Sequence, residues 1–165
     1  MATATLFGAS IKRREDPRFI TGRGQYVDDV KLPGMTYAAF VRSPHAHARI
    51  RAIDVAGAKA HPGVVAVFTG KDMAGVNSLP CGWDLRKEKN IPGVIQDLAM
   101  VPHMPLTSDV ARHVGDPVAV VIADSQAAAT DAAEKVRVDW EPLPAVTATD
   151  RAAQPGAPQL HAGAP

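Results

Sequence analysis

The chain has 165 residues, the usual length of one domain, and 46% of them are hydrophobic while 21% are charged, a composition that excludes the disordered, fibrous and membrane classes. The formal net charge is +1, so the chain lacks the excess of positive charge that binding to a phosphate backbone needs. Cys81 has no disulfide mate and the opening segment has no secretory pattern, so we expect a cytoplasmic protein that does not bind nucleic acid.

The first third of the chain predicts an arm followed by two strands. Residues 1–24 contain the charged run KRRED with a proline and two glycines after it, which is typical of an extended N-terminal arm. The segment 37–41 (YAAFV) predicts a strand, and beyond the Ser43-Pro44 break the alternation of arginine with apolar residues over 49–52 predicts another. We expect a short turn between these two strands.

A short helix and a buried strand are predicted next. The helix covers 55–60 and ends at Pro62-Gly63, because proline cannot donate the next backbone hydrogen bond. The segment 64–68 (VVAVF) is a run of five apolar, mostly β-branched residues. Such a run is typical of a strand covered on both faces, so we expect it to be central.

Residues 74–108 have no sustained periodicity and are interrupted by several prolines and glycines. Such a long featureless segment is uncommon in a compact domain. Two explanations stay open: a mobile surface excursion, or a segment that lies against a partner outside this chain.

The clearest unit lies at 117–140. PVAVVIAD predicts a buried strand, Ser125 is a plausible helix N-cap, and alanines follow at helical spacing. Apolar and charged residues then alternate over 136–141, which predicts a last strand with one wet face. Proline and glycine dominate afterwards, so we divide the chain into an arm (1–24), a domain (25–146) and a linker or truncated tail (147–165).

No nucleotide-binding motif is complete. A phosphate loop ending at Gly70-Lys71 would need glycine at 65 and serine or threonine at 72, where the chain has Val65 and Asp72. The glycines at 22–24 do not have the spacing of a dinucleotide fingerprint.

Metal binding and thiol chemistry have weak candidates. In an extended segment His45 and His47 would share one face, but no third or fourth ligand is evident. We interpret them as turn or interface histidines that satisfy backbone groups. Cys81 lies between Pro80 and Gly82 without an identifiable activating base.

Hydrolytic and acid-base sites are equally unsupported. Ser43 and Ser125 lack the G-x-S-x-G setting of a nucleophile. The acidic pairs at 15–16 and 28–29 would point to opposite faces of an extended chain, so we expect them to bind arginines or cap turns. The sequence therefore predicts no catalytic, cofactor-binding or metal-binding residue in this chain.

Four segments in order carry a family resemblance: RREDPRFITGRGQYVDD at 13–29, LPGMTYAAFVRSPHAHARI at 32–50, PGVVAVFTGKD at 62–72, and VGDPVAVVIADSQAAATDAAEKVRVDWEPLPAV at 114–146. Their order and spacing resemble the start of the large, molybdenum-binding subunit of the carbon monoxide dehydrogenase, xanthine dehydrogenase and aldehyde oxidase family. The resemblance implies an α+β fold, the α/β hammerhead, with a mixed sheet, two or three short helices and a long irregular insertion. It also implies that RREDPRF and GQYVDD form the arm and first strand, and that SPHAHARI forms a turn leading into a strand.

The same resemblance implies partners and cofactors outside this chain. The full large subunit is expected to hold molybdopterin cytosine dinucleotide, with FAD in a medium subunit and a 2Fe-2S cluster in a small one. The family's active-site loop, glycine-rich cofactor segments and base glutamate lie beyond these 165 residues, so none is carried over. The chain alone is expected to be inactive.

Three hypotheses follow. The first is a non-catalytic structural domain of a molybdenum hydroxylase that packs against the cofactor-binding domains and partner subunits. The second is a free-standing hammerhead module that binds a partner or a small ligand without redox activity. The third, a swinging-arm carrier, needs a lysine at a hairpin tip, and no lysine has that setting; self-association through an apolar surface is a further expectation.

Overall fold

The computed structural model describes residues 8–79 and 101–162, and the chain divides after Met35 into two compact units. The first unit contains a short helix, α1 (Asp16–Ile20), and a 3-10 turn at Val27–Asp29. The extended arm is therefore wrong in part, because Pro17 stands at the start of α1, where its fixed φ angle suits a helix. The strand expected in GQYVDD is also wrong: the Tyr26 backbone N–H donates to Asp29 Oδ2 at 2.9 Å, which stabilises the 3-10 turn.

The second unit contains six strands and three short helices in its described residues. In chain order they are β1 (Tyr37–Arg42), β2 (Ala48–Asp54), α2 (Ala56–Lys59), β3 (Val64–Thr69), β4 (Val110–Ala111), β5 (Pro117–Ala123), α3 (Gln126–Ala133), β6 (Arg137–Pro142) and α4 (Thr149–Ala152). The strands and helices expected over 37–68 and 117–141 are confirmed. A 3-10 turn follows β3 at Gly70–Met73.

The strands form two three-stranded sheets. The first sheet has the order β1-β5-β3 and the second has the order β4-β2-β6, and every pairing between neighbours is antiparallel. The α+β class is confirmed, with two antiparallel sheets in place of one mixed sheet. Because β1 and β2 belong to different sheets, the short connection between them is a crossover between sheets, and α3 likewise links β5 of the first sheet to β6 of the second.

The central position expected for β3 is wrong. β5 is the middle strand of the first sheet, and β3 lies at the edge beside it. Val65 and Phe68 of β3 are 65% and 42% exposed. A continuous apolar run is typical of a strand covered on both faces, but one face of β3 is not covered by the described residues.

The hydrophobic core lies on one face of the first sheet. Val67 of β3 and the alternate β5 residues Ala119 and Val121 pack there with Ala132 of α3 and Val136. Ser125 caps α3 as expected, since its Oγ accepts the Ala128 backbone N–H at 3.2 Å. Burying a side chain such as Val121 completely contributes about 1.5–3 kcal/mol.

The opposite face of the first sheet carries two cross-strand rows of apolar side chains. Phe40 and Phe68 are both paired with Val120, and Ala38 and Ala66 are both paired with Ile122. Directly opposed residues of neighbouring strands share a face, as do positions two apart along β5. These six residues are called the open face below, since Phe40 is 49% exposed and Phe68 42%.

The second sheet presents charge to water. Arg49 and Arg51 of β2 both approach Glu141 Oε2 of β6, at 3.8 and 3.3 Å from their Nε atoms; the two arginine side chains are more than half exposed and that of Glu141 is 38% exposed. The wet face expected for the last strand is thus confirmed.

The irregular insertion is only partly described. Residues 74–79 and 101–108 contain no helix or strand, and the Leu79 N–H donates to the His103 carbonyl at 2.8 Å, which joins the two described ends. The rest of the insertion, including Cys81, lies outside the described residues. Among described helices none is long and apolar enough to cross a membrane.

Candidate functional site

Asp116, just before β5, is a buried polar group with several hydrogen bonds in the described part of the second unit. The residue is only 3% exposed; Oδ1 accepts the Thr107 hydroxyl at 2.7 Å and Oδ2 accepts the Arg112 backbone N–H at 2.9 Å. The Asp116 carbonyl accepts the Ser43 N–H at 2.9 Å. Asp116 therefore connects the end of the insertion, the β4–β5 turn and the β1–β2 crossover.

Arg112 extends this network to the C-terminal tail. Its Nε donates to the Leu160 carbonyl at 2.9 Å and one terminal nitrogen donates to the Val110 carbonyl at 3.0 Å. Two of its guanidinium nitrogens are thus used to hold backbone carbonyls, which is a structural use of arginine.

A cavity of about 120 Å³ lies over this network and is lined by three histidines, His103, His113 and His161, together with Arg112 and Asp116. The rings of His103 and His113 are 6.1 Å apart, and His113 Nδ1 lies 3.7 Å from Asp116 Oδ2. Burial, and after it the charge of Arg112, lowers the pKa of His161 below its ordinary value. His161 is therefore neutral at neutral pH.

This arrangement is suited to holding backbone segments together. The described residues contain no group of three His, Cys, Asp or Glu side chains arranged to hold a metal ion. Buried side-chain polar atoms in the same residues all have a hydrogen-bond partner. Because a ligand site typically offers unsatisfied polar groups, the Asp116 network is complete without a ligand.

The two histidines singled out from the sequence lie in the crossover between β1 and β2. His47 Nδ1 donates to the Pro144 carbonyl at 2.7 Å, and the Leu143 N–H donates back to the His47 carbonyl at 2.9 Å. The His45 ring meets Trp140 edge-on at 5.7 Å. The interpretation of His47 as a turn histidine that satisfies a backbone group is confirmed.

The rejected phosphate loop is a tight turn held by its own residues. Asp72 Oδ2 accepts both the Thr69 N–H at 2.7 Å and the Thr69 hydroxyl at 2.9 Å, and these hydrogen bonds lower the pKa of Asp72. A Cβ at Gly70 would lie 2.5 Å from the Thr107 carbonyl carbon and oxygen. Glycine is required there by close backbone contact.

The serines and acidic pairs also have local roles. Ser43 Oγ donates to the His45 carbonyl at 2.9 Å and accepts the His45 N–H at 3.0 Å. In the first unit Asp16 Oδ1 pairs with Arg13 Nε at 3.1 Å, and Asp29 stabilises the 3-10 turn. The expectation that acidic pairs bind arginine or cap turns is confirmed for these two residues.

Three lysines lie within or next to a described helix or 3-10 turn, and none of these three is at the tip of a hairpin. Lys59 lies in α2, Lys71 lies in the 3-10 turn after β3, and Lys135 follows α3. These positions do not support a carrier domain.

Asp116 and Gly70 are the two important positions that sequence reasoning missed. The only sequence signal for Asp116 is an acidic residue between glycine and proline just before a buried strand, in VGDPVAVV. Gly70 was considered for phosphate binding, while its real neighbour, Thr107, is far away in the sequence.

Comparison with known proteins gives a consistent result. The family model described as "Aldehyde oxidase and xanthine dehydrogenase, a/b hammerhead domain" matches residues 21–144. The carbon monoxide dehydrogenase large chain of Afipia carboxidovorans is 43% identical over 93% of the chain, and the xanthine dehydrogenase molybdenum-binding subunit of Escherichia coli O157:H7 is 38% identical over 87%. The crystal structure of quinoline 2-oxidoreductase from Pseudomonas putida 86 superposes with a TM-score of 0.71 at 42% identity over 88% of the chain.

The matched region is a small part of each of these proteins. It covers 17% of the carbon monoxide dehydrogenase chain, 18% of the xanthine dehydrogenase subunit and 17% of the quinoline 2-oxidoreductase chain. Their names refer to different substrates at similar identity, so similarity over this region does not select a substrate.

Proposed function

Because the chain belongs to the aldehyde oxidase and xanthine dehydrogenase a/b hammerhead domain family, we propose that it is a non-catalytic structural domain of a molybdenum hydroxylase large subunit. The observation that carries the proposal is the coverage of its relatives. The chain matches only 17–18% of the length of these relatives, one of which is a molybdenum-binding subunit. Its work is to fold as a scaffold and to pack against the remaining domains.

The cofactor expected for the full enzyme, molybdopterin cytosine dinucleotide, does not fit the described residues. The histidine-lined cavity of about 120 Å³ is smaller than the roughly 300–1,000 Å³ of ordinary small-molecule sites. A wider groove of about 540 Å³ follows the tail, but alanine, glycine and proline make up most of its lining, which gives few donors for a pyrophosphate. We assign the cofactor to the remainder of the large subunit.

The partners follow from the same proposal. The remaining large-subunit domains are the direct neighbours, and a medium FAD subunit and a small 2Fe-2S subunit complete the electron-transfer path in a cytoplasmic enzyme. The substrate is chosen outside this domain.

The proposal is tested by comparing the isolated chain with the assembled enzyme. We expect the isolated chain to unfold cooperatively in urea, to contain no stoichiometric molybdenum by elemental analysis, and to oxidise neither carbon monoxide, aldehydes nor purines. The assembled enzyme, purified in the same buffers, is the control and should contain molybdenum together with this chain. Stoichiometric molybdenum or turnover in the isolated chain contradicts the proposal and favours a free-standing module.

A further inference from the structure

The two sheets of the second unit differ in the chemistry of their outer faces. The second sheet places Arg49, Arg51 and Glu141 in contact with water, as an antiparallel sheet with one solvated face normally does. The open face of the first sheet consists instead of two phenylalanines, a valine, an isoleucine and two alanines. Contiguous exposed apolar patches are common at protein interaction sites.

The strands that form the open face have the composition of strands buried on both sides. β5 reads PVAVVIA and β3 reads VVAVFT, with no charged residue in either. One face of each strand is buried in the core beside α3. The second apolar face has the same chemistry but is only partly covered by the described residues: Val118 at one end is buried, whereas Phe40 and Phe68 remain 49% and 42% exposed.

The shape of the open face is that of a ridge beside a lower row. Phe40, Val120 and Phe68 form the ridge, and Ala38, Ile122 and Ala66 form the adjacent row, in which small side chains flank the isoleucine. Aliphatic or aromatic side chains fill such a step well, whereas charged ones would lose their hydration without gaining a partner.

Arg42 marks one border of the open face. Its guanidinium carbon lies 5.3 Å from the centroid of the Phe40 ring, and one terminal nitrogen donates to the Gly115 carbonyl at 2.9 Å. Interfaces commonly have an apolar centre with a polar rim rich in arginine. The occupant should therefore be apolar opposite the phenylalanines and polar or acidic near Arg42.

We propose that the open face is the surface on which the remainder of the large-subunit polypeptide packs, through apolar side chains. This inference rests on the proposed function and specifies its contact surface. The occupant follows from length: the matched region is 17% of the relative's large chain, so most of that polypeptide lies outside the hammerhead region.

Photochemical cross-linking identifies the occupant directly. The photoreactive residue p-benzoylphenylalanine replaces Phe40 or Phe68, which keeps an aromatic ring at each site, and Arg51 on the charged sheet is the control position. The protein is the assembled enzyme, from cells that make this chain together with the remaining large-subunit residues, either in one polypeptide or as two. Mass spectrometry then maps the cross-linked peptides.

We expect cross-links from positions 40 and 68 to large-subunit residues outside these 165, with much lower yield from position 51. Cross-links to a second copy of the chain, to its own residues 1–35, or to a flavin or iron-sulfur subunit would overturn the inference, as would equal yields at all three positions. If the chain is recovered in the molybdenum enzyme but the cross-links go elsewhere, only this inference fails. If the chain is absent from the molybdenum enzyme, the proposed function fails as well.

A charged substitution gives a second readout. Phe68→Lys should weaken association between this chain and the separately produced remainder by about 30-fold or more, as expected for charging an anchor residue of an interface. Val114→Lys, at a 65% exposed position in the β4–β5 turn, is the matched control and should leave association unchanged. Since both sites are substantially exposed, the urea midpoints of the two isolated variants should be similar. Equal association of both variants would count against the open face as the contact surface.

Discussion

At the scale of single residues, Asp116 joins three segments: its carboxylate holds the end of the insertion and the β4–β5 turn, and its backbone carbonyl holds the β1–β2 crossover. A carboxylate accepts hydrogen bonds on both oxygens, and both are used here, by the Thr107 hydroxyl and the Arg112 N–H. Side-chain bonds of this kind define where the insertion rejoins the sheet.

Asp116→Asn tests this role. The amide has one acceptor oxygen, so the Thr107 hydroxyl must turn to accept from the amide nitrogen while the oxygen keeps the Arg112 N–H. Exchanging two buried charge-assisted hydrogen bonds for neutral ones should cost about 1–3 kcal/mol of unfolding free energy. Urea unfolding measures the loss, and Asp139→Asn on the exposed side of β6 should stay close to the parent. Equal midpoints for the two variants would contradict the buried network.

Gly70 is important for a different reason from Asp116, because its backbone lies too close to Thr107 for a side chain to fit. Gly70→Ala would bring a methyl group to 2.5 Å from the Thr107 carbonyl, and the resulting backbone shift should cost about 1–3 kcal/mol. Gly57→Ala in α2 is the matched control, because its Cβ would have only ordinary contacts at 3.4 Å or more and alanine favours a helix. Chemical denaturation of both variants measures the free energy of unfolding. If Gly70→Ala leaves it unchanged, the turn can shift to make room for the methyl group.

His161 gives the tail a pH dependence. Burial, and then Arg112, lower the pKa of this histidine from 6.5, so the unfolded chain takes up a proton at higher pH than the folded chain does. The stability from neutral His161 is thus complete above 6.5 and declines as the pH falls below it. Between about pH 7 and pH 5 the urea midpoint should fall less in His161→Gln than in the parent; identical slopes in the two proteins would refute this.

At the scale of elements, α3 is the helix whose capping the sequence predicts most directly. Ser125 and the alanine spacing fix its beginning and its buried face, and α3 packs over β1 and β5. Ser125→Ala should cost about 1 kcal/mol because the Ala128 N–H loses its acceptor. Ser125→Asp, which retains an acceptor, is the control in thermal unfolding, and equal losses in both variants would mean that the cap contributes nothing specific.

The strands show where sequence reasoning stops. The apolar run of β5 predicts a buried strand, and it is the middle strand of its sheet, while the equally apolar β3 lies at an edge. A pattern within one strand indicates how apolar its two faces are, but strand order depends on pairings between distant segments. For the same reason the contact between Gly70 and Thr107 could not be predicted, although the local caps at Ser125 and the acidic turns could.

At the scale of the whole molecule, the family and fold class follow from the order of four segments, because that order constrains the entire chain. The candidate site is less predictable, since the Asp116 network joins single residues from three segments without a recognisable motif. The two sheets in place of one mixed sheet were likewise not evident, since sheet membership is decided by long-range pairing.

The exposed apolar surface has a measurable consequence for the isolated chain. Without its proposed cover, the chain should self-associate as its concentration rises, because burying the phenylalanines releases hydration water. Light scattering coupled to size exclusion should detect this, and Phe68→Lys should remain monomeric at concentrations where the parent and Val114→Lys associate. A parent chain that stays monomeric at high concentration would contradict the expectation.

The pairing of distant strands also bears on how the chain is made. Tyr37 lies opposite Ala123 in the first sheet, and Asp54 lies opposite Arg137 in the second. During synthesis the first sheet cannot close until β5 has left the ribosome, and the β2–β6 pairing waits for still later residues. Closing such long loops slows folding, so nascent β1 and β3, with their apolar side chains unpaired, should be clients for a chaperone in that interval.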